Sequence, residues 1–385
     1  MKTYNFDEVV DRRGTCSYKW DLAPEGVIPM WVADMDFKVA EPIQQALITR
    51  VQHGIFGYTA VPDTYYDAVI NWFRRRHGWT MKRDWMIYTS GVVPAISAII
   101  KAMTTPGDKV LVQCPVYNCF FSSIRNNGCQ MLSNDLVYAN NTYTIDFDDF
   151  EQKASDPLCK VFLLCNPHNP AGRVWTAEEL RRMGEICLKH NVFVIADEIH
   201  CELVMPGYQF TPFASLGEDF LMSCAVCTSP TKNFNIAGLQ ISNITAADEQ
   251  IRQRIDKAIN INEVCDVNPL GVVALQAAYN ESEDWLEQLL AYLYQNYLCL
   301  CDFMAENMPD MPVVKLEGTY LAWVDCSALN MPSQEIEDKL MEKGLWLNAG
   351  IHYGAPGDRF IRINLACPRS VLQEGLNRLL KIKEH

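Results

Sequence analysis

The sequence lacks any apolar stretch close to the roughly 20 residues that a membrane-spanning helix needs. Its beginning, MKTYNFDEVVDRRG, is polar and contains no apolar core of a signal peptide. Runs of basic residues are missing too: 33 lysines and arginines face 47 aspartates and glutamates, a formal net charge of −14. An acidic chain of this kind is a poor candidate for binding nucleic acid. These absences predict a cytoplasmic protein that binds neither membranes nor nucleic acid.

The chain also lacks the signs of a disulfide framework and of a structural metal site. Its 15 cysteines are an odd number, scattered through apolar segments, which favours a reducing compartment. One CxxC pattern occurs, Cys224-Ala-Val-Cys227, but it lies in an apolar run and no second pair of ligands accompanies it. We therefore predict that both thiols pack in the core and that the protein binds no metal.

Repeats and low-complexity segments are absent, and 385 residues suffice for one large domain and one smaller domain. Between about residues 85 and 245, short apolar runs alternate with helical patterns. The runs that we predict as buried strands are KVLVQC (109–114), KVFLLC (160–165), NVFVIAD (191–197) and LMSCAVCT (221–228). This βαβ rhythm predicts an α/β fold with a mostly parallel sheet covered by helices on both faces.

Helices are predicted where the apolar spacing and the end signals agree. The predicted helices cover residues 62–78, VVPAISAIIKAMT after Gly91, and residues 281–307. Thr176 with Glu179, and Ser370 with Gln373, have the spacing of capping boxes at two further helix starts.

The remaining strands predict how the chain divides into domains. Predicted strands at TYLAWVDC (319–326) and RFIRINLAC (359–367) place a small α+β domain at residues 286–385. Residues 46–285 would form the large domain, and an N-terminal segment, residues 1–45, would join the small one.

Ligands of open α/β sheets bind beyond the carboxyl ends of the strands, and these ends carry a distinctive set of side chains. The residues found there are Tyr117, Asn169, Asp197, His200, Ser229, Thr231 and Lys232, together with a helix start at Gly91, Val92 and Val93. Pyridoxal phosphate requires a lysine for a Schiff base and a carboxylate at its ring nitrogen. It also requires a donor at its ring oxygen, an aromatic ring to stack on, and a phosphate cradle, which a helix N-terminus provides.

Asn169 in NPHNPAGR, Asp197 in ADEIH and Lys232 in SPTK resemble the signature of fold-type-I pyridoxal-phosphate enzymes, the class I/II aminotransferase superfamily. Further segments resemble the MalY/PatB-type C–S lyases, which are cystathionine β-lyases or cysteine-S-conjugate β-lyases. These segments are PMWVADMDF (29–37), FGYT (56–59), GVVPAI (91–96), NPHNPAGRVW (166–175), ADEIHCEL (196–203), TKNFNIAGLQ (231–240) and FIRINLACPR (360–369). The resemblance covers almost the whole chain.

The resemblance implies a role for each of these residues. Lys232 would form the Schiff base and then act as the base at the substrate Cα, while Asp197 would pair with the pyridinium nitrogen. Asn169 would bond the ring oxygen and contact the substrate, whose α-carboxylate would lie on the guanidinium fork of Arg362. Tyr58 would reach the partner's phosphate across a homodimer interface. Either Tyr117 or Tyr58 would assist at the leaving sulfur.

The implied reaction is elimination of a thiol from L-cystathionine or a related L-cysteine S-conjugate, giving the thiol, pyruvate and ammonia. Two departures from the aminotransferase pattern favour this lyase reading. Gln240 stands where many aminotransferases carry a phosphate-binding arginine, a contact worth about 1.5–3 kcal/mol. Ser229, Thr231 and the helix start, or another cation, would then hold the phosphate.

The second departure is His200, which stands where many aminotransferases carry a tyrosine. It would either donate to the ring oxygen or lie behind it as a hydrogen-bonded histidine. The alternatives to a lyase are an aminotransferase of an amino acid and a binding protein that is non-catalytic or additionally regulatory.

Overall fold

The computed structural model describes residues 2–263 and 266–383. Its strands are β1 (Ile28–Pro29), β2 (Met86–Thr89), β3 (Lys109–Val112), β4 (Gln130–Ser133), β5 (Val137–Ala139), β6 (Thr142–Thr144), β7 (Cys159–Cys165), β8 (Phe193–Asp197), β9 (Cys224–Thr228), β10 (Ser242–Thr245), β11 (Leu321–Asp325), β12 (Leu345–Trp346), β13 (Asn348–Ala349) and β14 (Phe360–Asn364). Its α-helices are α1 (Glu41–Gln52), α2 (Asp63–His77), α3 (Val92–Met103), α4 (Cys119–Asn126), α5 (Phe147–Ala154), α6 (Ala177–Lys189), α7 (Glu218–Met222), α8 (Glu249–Asn260), α9 (Pro269–Glu281), α10 (Glu283–Asn307), α11 (Ser333–Glu342) and α12 (Arg369–Leu379). Within the described ranges, no helix is both long and apolar enough to cross a membrane.

The central sheet has the strand order β2-β10-β9-β8-β7-β3-β4. Strands β9, β8, β7, β3 and β4 pair in parallel, whereas β10 runs antiparallel to both of its neighbours, β9 and β2. Every residue of β8 and β9 is buried, as expected for strands covered by helices on both faces. The prediction of an α/β fold with a mostly parallel sheet is confirmed.

A second, antiparallel sheet has the order β11-β14-β13. Helices α11 and α12 bury apolar side chains in the same cluster as β11 and β14. The short strand β1 pairs in parallel with β12, so residues near the N-terminus contact this C-terminal unit. The division of the chain at residues 45 and 285 stays a prediction.

Two local predictions were wrong. In the run LMSCAVCT, Leu221 and Met222 end helix α7, and the strand begins only at Cys224. Phe220 and Cys224 are buried while Met222 is exposed, a helical spacing that a short apolar run does not reveal. Ser370 does not cap α12: the helix begins at Arg369 directly after Pro368, which places the exposed Ser370 inside the first turn.

The capping box at Thr176 is confirmed. The Thr176 hydroxyl accepts a hydrogen bond from the Glu179 amide at 3.1 Å, and the Glu179 carboxylate accepts one from the Thr176 amide at 2.9 Å. Leu180, Met183 and Cys187 then lie on the buried face of α6, as the spacing predicts.

We expect Thr176→Ala to lower the free energy of unfolding by about 1 kcal/mol, because one amide at the helix start loses its acceptor. A urea titration followed by circular dichroism measures this change. Ser370→Ala is the matched control, and its effect should stay below about 0.5 kcal/mol. Equal losses in both variants would contradict the different roles of the two hydroxyls.

Candidate active site

The predicted site residues meet at one edge of the central sheet. Asp197 is the last residue of β8, and Asn169, Lys232 and Tyr117 lie in the loops that follow β7, β9 and β3. Because these strands are parallel neighbours, their carboxyl ends open on the same edge. The βαβ pattern therefore brings together residues that are far apart in the sequence.

The amine of Lys232 is held inside the protein by a main-chain oxygen. Its Nζ donates a hydrogen bond to the carbonyl of Ala33 at 2.6 Å. Burial lowers the pKa of this amine to about 8, and the positive charge of Arg362 acts in the same direction. The carboxylates of Asp34 and Asp197 oppose this effect. A larger fraction of the amine is therefore neutral at physiological pH than in a free lysine.

The carboxyl group of Asp197 is buried, and no described residue forms an ion pair with it. Burial raises its pKa to about 7, although the Ile199 amide, which donates to Oδ1 at 3.2 Å, and the charge of Lys232 act against the rise. A buried acid in this condition is stabilised by a cationic group placed next to it. A positively charged ligand next to Asp197 would therefore stabilise its ionised carboxylate.

A hydrogen bond joins Arg362, in β14 of the second sheet, to Asn169, in the loop after β7 of the central sheet. The guanidinium donates through Nη1 to Asn169 Oδ1 at 3.1 Å and through Nη2 to the Trp31 carbonyl at 2.7 Å. Its carbon lies 5.0 Å from the ring centroid of Tyr353. Nε is buried and has no partner among the described residues, so the guanidinium keeps donor capacity for an anionic ligand.

Hydroxyls and a helix start lie together where β2 and β9 end and β10 begins. Helix α3 begins after Gly91 with no side-chain cap among the described residues, and amides at such a helix start can bind an anion. The Ser229 and Thr231 hydroxyls lie 2.8 Å apart, and Ser229 also donates to the Ile241 carbonyl at 2.5 Å. This arrangement suits a phosphate group.

Ser242 is a further hydroxyl at this position that the sequence reasoning missed. It pairs with Thr89 in the sheet, and its buried Oγ finds no hydrogen-bond partner within the described chain. The signal for it was weak, because the strand β10 was not predicted. Gln240 is exposed, and its side chain makes no hydrogen bond within the described residues.

His200 is buried beside the same edge as a neutral ring. Burial lowers its pKa to about 3, and the charges of Lys232 and Arg362 act in the same direction. Its Nδ1 has no partner in the part of the chain that the structure describes. The ring packs edge-to-face on Tyr320 with centroids 6.1 Å apart. Both of its predicted roles stay open.

The two candidate tyrosines lie in very different surroundings. Burial raises the pKa of Tyr117 well above its ordinary value, and the nearby Cys119 thiol and Asp197 carboxylate act in the same direction. Tyr117 therefore belongs to the cluster around Asp197 and Arg362. Tyr58 is 96% exposed, and the structure does not bring it to this chain's own cluster.

Comparison with known proteins adds an independent finding. A family model described as aminotransferase class I and II matches residues 29–379. The chain is 42% identical, over 97% of its length and 98% of the relative, to cystathionine beta-lyase PatB of Bacillus subtilis (strain 168). Cystalysin from Treponema denticola, solved with pyridoxal 5′-phosphate, is similar in structure, with a TM-score of 0.96 and 36% identity over 99% of each chain. The pyridoxal-phosphate-bound C–S lyase from Staphylococcus hominis gives 0.92 and 34% over 98% of each chain.

Proposed function

The chain belongs to the class I and II aminotransferase family, and from this premise we propose that it is a pyridoxal-phosphate-dependent carbon–sulfur β-lyase. It cleaves L-cystathionine or related L-cysteine S-conjugates to a thiol, pyruvate and ammonia. The observation that carries the proposal is the placement of Lys232 and Asp197 at one edge of the central sheet, with Arg362 of β14 hydrogen-bonded to Asn169 at the same edge. A full-length relative of this chain is a cystathionine β-lyase.

The residues present fit the cofactor. Asp197 is a buried acid that contacts no cationic side chain in the described part of the chain, which suits a protonated ring nitrogen. Lys232 would hold the cofactor through its amine, and Asn169 would reach the ring oxygen. The orphaned Ser242 hydroxyl and the uncapped start of α3 supply donors for a phosphate group.

Arg362 orients the substrate by binding its α-carboxylate through two parallel hydrogen bonds. When bound, the cofactor supplies an electron sink that makes the Cα–H bond of an amino acid acidic. The neutral amine of Lys232 takes this proton at Nζ, and its lowered pKa increases the neutral fraction that can do so.

The leaving sulfur requires a proton if it is to depart as a thiol. Of the two tyrosines, Tyr117 lies within the cluster of this chain, and its raised pKa keeps the hydroxyl protonated. We assign it the role of donating that proton. Hydrolysis of the product released after the sulfur has left then gives pyruvate and ammonia.

The test is to incubate the cofactor-loaded protein with L-cystathionine and no keto acid, while pyruvate and free thiol are followed together. Equal rates of appearance are expected for β-elimination. Amino-group exchange that needs an added keto acid, without pyruvate formation, would instead identify an aminotransferase. Failure of both reactions in a protein that retains the visible absorbance of its cofactor would point to a binding protein.

The working form is proposed to be a homodimer in the cytoplasm. The end of α1 and the loop after it expose an apolar patch formed by Ile48, Val51, Ile55, Phe56 and Tyr58, here named the α1 patch. Exposed apolar patches of this kind mark contact surfaces. A second copy covering the patch would let Tyr58 reach the phosphate of its neighbour.

The 14 described cysteines are all free, which fits a reducing compartment.

We expect two inactive variants, Tyr58→Ala and Lys232→Ala, to restore activity when they are mixed after partial unfolding and refolding. If each site takes Tyr58 from one chain and Lys232 from the other, about a quarter of the wild-type rate should return, because about half of the dimers are mixed and each has one intact site. A mixture of Lys232→Ala with Asp197→Asn is the control, since both changes lie in the same chain's share of a site. Recovery in the control alone, or in neither mixture, would contradict a shared site.

A further inference from the structure

Residues 31–37, here named the strap, cross the site and are fixed through their main-chain oxygens. Asn364 donates to the Val32 and Asp34 carbonyls at 2.5 and 2.7 Å. The Ala33 carbonyl between them accepts from Lys232 Nζ at 2.6 Å and from the Tyr320 hydroxyl at 3.0 Å. The strap therefore holds the amine of Lys232 in a set position, with the Asp34 side chain on the next residue.

The two oxygens of the Asp34 carboxylate differ in their hydrogen bonding to the described residues. Oδ2 accepts from Arg12 Nη2 at 2.6 Å. Oδ1 is buried and has no hydrogen-bond partner among the described residues, and the nearest ion-pair atom, Lys19 Nζ, is 3.8 Å away. Asp34 and Lys232 line the same cavity of about 540 Å³. The cavity that contains Lys232 is thus also lined by a carboxylate with an acceptor oxygen that makes no hydrogen bond to the described residues.

We propose that Asp34 is a positioning residue for Lys232: it stabilises the ammonium that forms at Nζ when the amine takes the substrate's Cα proton. The catalytic part of this inference rests on the proposed function, whereas the interaction between the two side chains does not. The carboxylate acts through Lys232 and does not touch the substrate.

The charges that face Lys232 favour this role. Asp34, Asp197 and the Cys119 thiol favour the ammonium, while Arg362 opposes it and the buried His200 is a neutral ring. With the cofactor bound, Asp197 would pair with the ring nitrogen. Asp34 is then the carboxylate left to stabilise a positive charge on the lysine.

The neighbouring Asp36 shows why Asp34 differs from an ordinary ion-pair residue. Arg12 and Trp20 both donate to Asp36 Oδ1 at 2.7 Å, and Lys19 donates to Oδ2 at 2.7 Å. Both of its oxygens are thus occupied, and it fixes the N-terminal segment. On Asp34, in contrast, Oδ1 accepts no hydrogen bond from any residue that the structure describes.

The experiment measures the pKa of the Lys232 amine in the full-length chain without cofactor. The rate of acetylation by acetic anhydride is followed against pH by peptide mass spectrometry, with the exposed Lys189 as the internal reference. Asp34→Asn should lower the pKa of Lys232 by about one pH unit, because the ammonium loses an opposite charge. Arg12→Gln should raise it, because the carboxylate then loses its cationic partner.

Asp36→Asn is the matched control, since it removes the same charge from the same strap and should move the pKa of Lys232 much less. An unchanged pKa in folded Asp34→Asn, or an equal shift in Asp36→Asn, would overturn the proposal. If Asp34→Asn fails to fold, Arg12→Gln provides the test. A pKa of Lys232 that stays the same or falls in Arg12→Gln would also overturn the proposal.

The loaded enzyme gives a second readout. Asp34→Asn should lower kcat with little change in KM, and Asp34→Glu should recover part of the loss, whereas a merely structural role would also move KM. Because the amine is titrated without cofactor or substrate, a shift there together with no lyase activity would reject the proposed function and keep the interaction.

Discussion

Replacing Lys232 by alanine should lower pyruvate formation from L-cystathionine by about 10³-fold or more, since we propose that its amine takes the Cα proton. It should also abolish the visible absorbance of the bound cofactor. The fold should persist, because the Ala33 carbonyl released by the change still accepts from Tyr320 at 3.0 Å. Activity assays, absorbance spectra and thermal unfolding of the same preparations measure the three effects.

Lys232→Arg is the control for charge. A guanidinium keeps the positive charge and the donor to Ala33 but does not lose its proton at working pH. We expect it to be as inactive as Lys232→Ala. Substantial activity or an unchanged spectrum in either variant would refute the assignment of Lys232.

Asp197→Asn should lower kcat/KM by about 10²–10³-fold, the effect of removing one partner from a buried charge pair worth about 3–5 kcal/mol. The amide keeps the shape of the side chain but cannot hold a proton on the ring nitrogen by its charge. Steady-state kinetics at saturating cofactor measure the loss, and a cofactor titration measures binding separately.

The adjacent Glu198 provides the matched control. It is buried, accepts from the Phe213 amide at 2.7 Å, and has its pKa raised by burial to about 8. It is therefore mostly protonated at pH 7, and Glu198→Gln replaces one neutral group by another. A loss in Glu198→Gln as large as that in Asp197→Asn would show that the effect is structural.

The raised pKa of Asp197 also makes stability depend on pH. Without cofactor, the folded carboxyl binds its proton up to about pH 7, whereas its ordinary value is 3.8. The folded state thus holds more protons between these values, and its stability should fall as pH rises from about 4 to about 7. Asp197→Asn removes this contribution, so its cofactor-free form should lose less stability over that range.

Much of the site could be predicted because it lies where parallel strands end. Asp197, Asn169 and Lys232 follow apolar runs that predict neighbouring strands, and the geometry of a parallel sheet then places them together. The start of α3 was identified in the same way. These inferences need only the order of strands and helices along the chain, and they need no distances between atoms.

The contacts of the strap could not be predicted from the hydrophobic pattern of the sequence. Residues 31–37 have no period that marks a helix or a strand, and their main-chain oxygens bind side chains that are remote in the sequence. Nothing near Ala33 indicates that Lys232 will bind there, and nothing near Arg362 indicates Trp31. Helix α7 was missed for a related reason, because its five residues are too few to show a period.

The span of these contacts has a consequence for biosynthesis. Ala33 and Lys232 are 199 residues apart, and Trp31 and Arg362 are 331 residues apart. A ribosome makes the strap 199 residues before Lys232 and 331 residues before Arg362, so the strap is synthesised long before these two partners. The central sheet can assemble before β14 is synthesised, but the contact between Arg362 and the strap cannot form until then. A newly made chain therefore completes this site only after β14 has been synthesised.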